Sequence, residues 1–300
     1  MISDLDSGGY GVEIRKPIAV VGAGRSGSTV FYRMFSHHSH VTWLTGVCGR
    51  YPGNPALNRY AMKMLDVPLL SMLVRKVTVP GENYGMWEHY CEGFASTRRD
   101  LLAEDVRPEW ISVMNSVFSK MLTRRRNRLL LKITGWPRIG FLREMFPDMK
   151  FIHVVRDGRA VACSMLNQAW WLGREGPAKW RWGNLDESKQ QLWEEHGKSI
   201  VALAGIGWNI LMDAMDHARR MVAPGDLLTV RYEELCSDPH RVFENIVQFC
   251  ELKDSRRFHD SLKQFTLQNV NHKWREQLSP EDQRILEDVL RERLLKEKYL

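Results

Sequence analysis

The sequence predicts an α/β fold: three layers, with a central, mainly parallel sheet flanked by helices. Three observations predict it. Four short apolar runs, 18–21, 129–133, 151–155 and 227–230, are continuous instead of alternating, as strands covered on both faces require. Stretches with helical spacing separate them, which is the pattern of parallel strands joined by crossover helices. The first run ends in glycines and leads straight into a helical pattern, the opening of a βαβ unit.

The elements follow in order. Residues 1–16 are a polar lead. The run 18–21 is the first strand and 29–35 the helix after its loop; 41–44 is a second short strand. The Pro-, Gly- and Asn-rich stretch 51–58 is a loop, and helices are expected at 57–76 and 108–124. The strand 129–133, a helix at 138–146, the strand 151–155 and a helix from Arg159 come next. The stretch 168–187, rich in Trp, Gly and charge, is a loop or lid. A long helix over 188–222 precedes the strand 227–230, and helices fill the remainder. No repeat, low-complexity tract or linker divides the chain, so residues 1–300 are expected to form one domain.

The bulk numbers exclude several classes. With 44% hydrophobic and 26% charged residues in 300, the chain can bury a core without staples. A net charge of +7 suits an anionic small molecule, a nucleic acid or a membrane surface without choosing among them. Five scattered cysteines, Cys48, Cys91, Cys163, Cys236 and Cys250, form no C-x-x-C pair, so free thiols are expected and no metal site. The polar, acidic N-terminus is unlike a signal peptide, and the apolar stretch 200–212 is too short to span a bilayer. A soluble, cytoplasmic protein is the expectation.

The loop VVGAGRSGST (20–29) resembles two different motifs. Gly22, Gly24 and Gly27 spell the G-x-G-x-x-G of a dinucleotide loop, which needs an acid about 20 residues later to hold the ribose. No acidic residue stands between Ile14 and Leu65. Gly22, Gly27, Ser28 and Thr29 approach a nucleotide-triphosphate P-loop, which needs a Lys before the Ser/Thr. Here Ser28 directly follows Gly27, and no Asp is evident to hold Mg²⁺. What survives is common to both: a P-loop-like strand, glycine loop and helix N-terminus. The backbone N–H groups of Ser26, Gly27, Ser28 and Thr29 and the helix dipole form an anion cradle, and Arg25 supplies the cation.

A second motif, FIHVVRDGRAVACS (151–164), places Arg156 at a strand's C-terminal end, Asp157 as the cap of the next helix and Ser164 two turns along it. Ligands of open α/β sheets bind beyond the strands' carboxyl ends, so Arg156 and Ser164 form a second anion site on the crevice of the first. Two such sites suit a nucleotide with phosphates at both ends.

At this point the chain resembles sulfotransferases that use 3′-phosphoadenosine 5′-phosphosulfate. GAGRSGST resembles their 5′-phosphosulfate loop and RDGRAVACS their 3′-phosphate motif; VRYEELCSDPHRVFENIVQFCEL (230–252) and NVNHKWREQLSPED (269–282) resemble later segments of the family. The R-S-G-S-T loop is nearer the bacterial and carbohydrate-type branches. The resemblance implies metal-independent, in-line transfer of a sulfonate to a hydroxyl or amino group of a small-molecule, lipid or carbohydrate acceptor. It implies that Arg25 and the 26–29 backbone hold the 5′-phosphosulfate, and that Arg156 and Ser164 hold the 3′-phosphate. It places Tyr232 near the adenine, closes Lys273 and Arg275 on the 3′-phosphate with Trp274 packing or stacking, and sets Lys132 beside the transferred group. The phenol-type enzymes carry a His two residues after that lysine, where this chain has Thr134. The expected base is therefore Glu88, then His89, in the aromatic stretch YGMWEHY; His37, His38 and His40 are outsiders. Trp170, Trp171, Trp180, Trp182 and Trp193 suit either an acceptor site or core packing.

Two other readings compete. A small-molecule kinase on a P-loop-like scaffold would need Mg²⁺ and ATP. A non-catalytic basic binding protein would use RRRNR (124–128), a run that more often is a solvated face; no nucleic acid partner is expected.

Overall fold

The structure, a computed structural model, describes residues 12–74 and 76–300; most of the polar lead, residues 1–11, lies outside the described residues. Among the described residues, five strands form one sheet: β1 (Ile18–Gly22), β2 (Val41–Trp43), β3 (Arg128–Thr134), β4 (Lys150–Val155) and β5 (Leu227–Arg231). Their order is β2-β3-β1-β4-β5, and every strand pairing is parallel. All five strands therefore end on the same edge. The chain fills one side of β1 with β2 and β3 and then crosses to the other side for β4, so the strand order reverses at β1 and a crevice opens there.

Period-two alternation divides the apolar strands between two cores. Ala19, Val21, Leu131, Ile133 and Phe151 face one side and pack with the helices Pro108–Met121 and Ile139–Met145. Ile18, Val20, Leu130, Ile152 and Val154 face the other and pack with the helices Ser28–Phe35 and Pro239–Phe249, where Phe31 stacks on Phe243 at 5.2 Å. A third core joins the helices Gly158–Leu166, Ile200–Arg219 and Pro280–Lys296 beyond the strand ends. At ~1.5–3 kcal/mol for each fully buried large apolar side chain, these three cores are the main driving force for the fold.

Several boundaries differ from the expected ones, each for a local reason. The helix expected at 57–76 is two, Ala56–Leu65 and Pro68–Val74, because Pro68 has no N–H to continue the ladder. The single helix expected over 188–222 is also two, Glu187–Glu195 and Ile200–Arg219. Between them Gly197 and Lys198 both adopt positive φ, 62° and 57°, which ends the first helix. A helix at Tyr84–Tyr90, not distinguished from its surroundings in the sequence, carries the YGMWEHY stretch. The stretch 168–187 holds a short 3₁₀ turn, Leu172–Glu175, and is tied down by Trp171, Trp180 and Trp182, all buried. All five cysteines are free. No helix of the described residues is long and apolar enough to cross a membrane.

Candidate active site

The loop after β1 is shaped by two close approaches. A Cβ at Gly22 would stand 2.5 Å from the Val154 carbonyl oxygen, so only glycine lets β1 turn this near β4. Gly27 has φ +88°, and a Cβ there would meet the Tyr232 ring at 2.3 Å. Gly27 is the N-cap of the helix Ser28–Phe35 and supplies no side-chain cap, so the first N–H groups of that helix are left for a ligand. Ser26 Oγ is buried and has no hydrogen-bond partner. An orphaned hydroxyl beside an uncapped helix N-terminus is the environment an anion satisfies. Arg25 holds φ +73°, a left-handed conformation that costs a non-glycine residue ~1–3 kcal/mol.

The second motif meets the first. Arg25 Nε donates to Ser164 Oγ at 3.0 Å, and Arg156 Nη1 donates to the Arg25 carbonyl at 3.1 Å. Arg156 lies over the Tyr232 ring at 4.5 Å and donates through Nε to Asn271 Oδ1 at 2.9 Å. Asp157 does not neutralise Arg156. Its carboxylate caps the helix Gly158–Leu166 through the Arg159 N–H at 2.9 Å and pairs with the Arg159 guanidinium at 2.8 Å. Arg25 and Arg156 thus converge with no acidic partner at ion-pair distance among the described residues. Burial pushes the Tyr232 phenol up to about 12, and its hydroxyl donates to the Gln268 carbonyl at 3.1 Å. Tyr232 therefore braces the loop, Arg156 and the 268–271 segment together.

Two residues before the end of β3, Lys132 is buried and donates to Thr29 Oγ1 at 2.8 Å. Its Nζ also lies 2.9 Å from Glu82 Oε1. Glu82 accepts from Thr134 Oγ1 at 2.9 Å, and the Tyr84 hydroxyl holds the Thr134 carbonyl at 2.9 Å. Sequence reasoning missed Glu82, just as it missed Asn271. Thr134, the residue that departs from the family pattern, is the one that orients Glu82.

The structure does not bring Glu88 into this cluster. Its two oxygens accept from the Gly93 and Ala95 N–H groups, both at 2.8 Å, and so close the turn after the helix Tyr84–Tyr90. His89 is exposed against the Tyr90 ring. The physical reason is the helix itself: six residues separate Glu82 from Glu88, and only the end preceding the helix reaches β3. His38 is buried beyond the far end of the helix Ser28–Phe35, against Phe258, and burial pushes it down to about 4. Trp274 is buried on Ala160 and Cys163, with Arg159 and Arg275 over its ring at 5.1 and 4.8 Å. It packs the 271–277 segment onto the helix Gly158–Leu166 and leaves Lys273 and Arg275 exposed. Trp170, half-buried, lies over Gly24, where a Cβ would stand 3.7 Å from the ring.

Fold and site define a P-loop-like α/β protein in which Arg25 and Arg156 converge at the switch point of a parallel sheet. The chain belongs to the sulfotransferase family, whose model matches residues 17–256. It is similar to the omega-hydroxy-beta-dihydromenaquinone-9 sulfotransferases of Mycobacterium bovis and Mycobacterium tuberculosis, 26% identical over 187 residues in each case. That match covers 60% of this chain and 43% of those relatives, so the chain spans less than half of their length. Among solved structures, the sulfotransferase STF9 from Mycobacterium avium superposes with a TM-score of 0.60 at 15% identity, covering 94% of this chain and 77% of that one. A sulfotransferase domain from the curacin biosynthetic pathway has a TM-score of 0.50 at 14% identity over 92% of this chain and 98% of that domain. These two establish the likeness of fold.

Proposed function

We propose that this protein transfers a sulfonate group from 3′-phosphoadenosine 5′-phosphosulfate to a hydroxyl group of an apolar acceptor. The observation that carries the reading is the convergence of Arg25 and Arg156 on one crevice, with Ser26 Oγ unpartnered beside them. The residues fit the donor. Arg25 and the 26–29 N–H groups would hold its 5′ end; Arg156, Ser164 and Asn271, with exposed Lys273 and Arg275 at the rim, would hold its 3′-phosphate. The donor supplies the sulfonate. Glu82, oriented by Thr134, accepts the proton of the acceptor hydroxyl, and Lys132 stabilises negative charge where the phosphate oxygen departs.

A lipid-type acceptor is favoured because the similar mycobacterial proteins are named for a hydroxylated dihydromenaquinone. The kinase reading finds no support: the loop lacks the phosphate-binding lysine, and the family match is to sulfotransferases. The test is thermal unfolding with 3′-phosphoadenosine 5′-phosphate, ADP plus Mg²⁺, and NAD, each in excess. A rise confined to the 3′-phosphorylated nucleotide and much reduced in Arg156→Ala supports the reading. A rise with ADP and Mg²⁺ alone, or with none, overturns it.

A further inference from the structure

We infer that the face around the helix Pro68–Val74 docks on an anionic lipid bilayer. That helix, PLLSMLV, buries only Val74. Leu69, Met72 and Leu73 are 81%, 78% and 75% exposed, and Val67, Leu70, Val77 and Val79 beside them are exposed as well. Single exposed apolar residues are ordinary on a protein surface; seven within 13 residues are a patch that needs a partner.

The charge around the patch says which partner. A cleft of about 1140 Å³ opens beside the helix, lined by Met72, Pro68 and Val79 and by Arg33, Arg125 and Arg257. Two acids line it: Asp66 is taken by Arg126 at 3.0 Å and Arg125 at 3.7 Å, and Asp260 by Lys263 at 2.7 Å. Arg33, Lys76 and Arg257 have no acidic partner at ion-pair distance among the described residues. From Ile14 to Gly81 the sequence holds nine Lys or Arg and a single acid, Asp66. Apolar side chains that can enter the acyl boundary, next to cations that meet lipid phosphates, are the combination by which proteins lie on membranes. A second copy of this chain fits the face less well, because a two-fold contact would set the same unpaired arginines against each other.

The segment also leads to the site. Pro80 bridges to Thr45, and Glu82 follows two residues later beside Lys132. An acceptor dissolved in the bilayer would then arrive near the residue proposed to deprotonate it. Docking goes beyond the transfer reaction and is read out without it.

The experiment is co-sedimentation of the full chain with phosphatidylglycerol–phosphatidylcholine vesicles and with phosphatidylcholine vesicles. The variants are Leu69→Ser/Met72→Ser/Leu73→Ser and Arg33→Glu/Arg257→Glu. Wild type should partition onto the anionic vesicles, less so at raised salt and on the neutral ones. Each variant should bind at least about tenfold more weakly. All five positions are exposed, so the unfolding midpoint and its rise with 3′-phosphoadenosine 5′-phosphate should be unchanged. No partition of wild type, or variants that bind as wild type does, overturns the inference. So does a wild-type dimer in solution that the triple variant breaks, which would assign the face to a second copy. Vesicle binding without any nucleotide-induced rise would sink the proposed function and leave the docking standing.

Discussion

Lys132 Nζ and Glu82 Oε1 stand 2.9 Å apart, although 50 residues separate them in the chain. The lysine lies in the central strand β3, two residues before its end; the glutamate comes from the segment between β2 and β3. Thr29 Oγ1, on the first turn after the glycine loop, accepts from the same lysine. An acid and the glycine loop's first helical turn therefore share one lysine. If this is the reacting centre, Glu82→Gln should lower kcat by about 10²–10⁴-fold and leave the affinity for 3′-phosphoadenosine 5′-phosphate within about twofold. Steady-state kinetics beside calorimetric titration of the nucleotide would check it, and an undiminished kcat would remove Glu82 from the mechanism.

Glu88 should behave differently. Its carboxylate closes a turn through Gly93 and Ala95, so Glu88→Ala should cost of the order of 1 kcal/mol of stability with kcat unchanged. Urea midpoints and kinetics of the two glutamate variants, measured together, discriminate a turn-closing acid from a reacting one.

Arg156→Ala should weaken 3′-phosphoadenosine 5′-phosphate by about 10–100-fold, the worth of one or two hydrogen bonds to a charged group. Arg159→Ala offers a contrast. Arg159 is buried and pairs with Asp157 and Glu287, so its loss should lower stability far more than Arg156→Ala does. Equal losses of stability in the two variants would contradict this division of roles.

Gly27→Ala should be destabilising by about 1–3 kcal/mol and should abolish nucleotide binding, because φ is +88° and the new Cβ would collide with the Tyr232 ring. Adding Tyr232→Ala removes the collision but not the backbone strain. The double variant should then be more stable than the sum of the two single changes implies. Simple additivity would show that the ring does not press on the loop.

The pH dependence has a definite sign. His153 is buried in β4 beside Arg219, and burial followed by that guanidinium pushes its pKa down to about 3, against an ordinary value of 6.5. Between these values the unfolded chain binds the proton and the native one does not. Stability is therefore lost as pH falls from about 6.5 towards 3, by up to ~1.4 kcal/mol per pH unit. Asp100, which burial pushes up to about 6, acts in the opposite sense between about 4 and 6. The difference in urea midpoint slope between wild type and His153→Gln isolates the histidine; parallel slopes would show that His153 is protonated natively.

Much of this was legible in the chain because it is written locally. The glycine loop, Arg156 at the end of β4, the Asp157 cap and Ser164 on the next helix are short-range features, and each occupies its expected place. The strand positions follow from continuous apolar runs, which only a doubly covered sheet accommodates. Helix lengths were less legible, since apolar spacing continues across Pro68 and across Gly197–Lys198, where the backbone turns away.

The sequence by itself determined the sulfotransferase family and the local form of the glycine loop and of the Arg156 strand end, because backbone conformation at a loop and charge at a strand end depend on neighbouring residues. Tertiary structure alone decided which carboxylate stands beside Lys132. Glu82 and Glu88 have the same chemistry, and they are separated only by the helix that begins at Tyr84 and by the hydroxyl of Thr134 that one of them reaches.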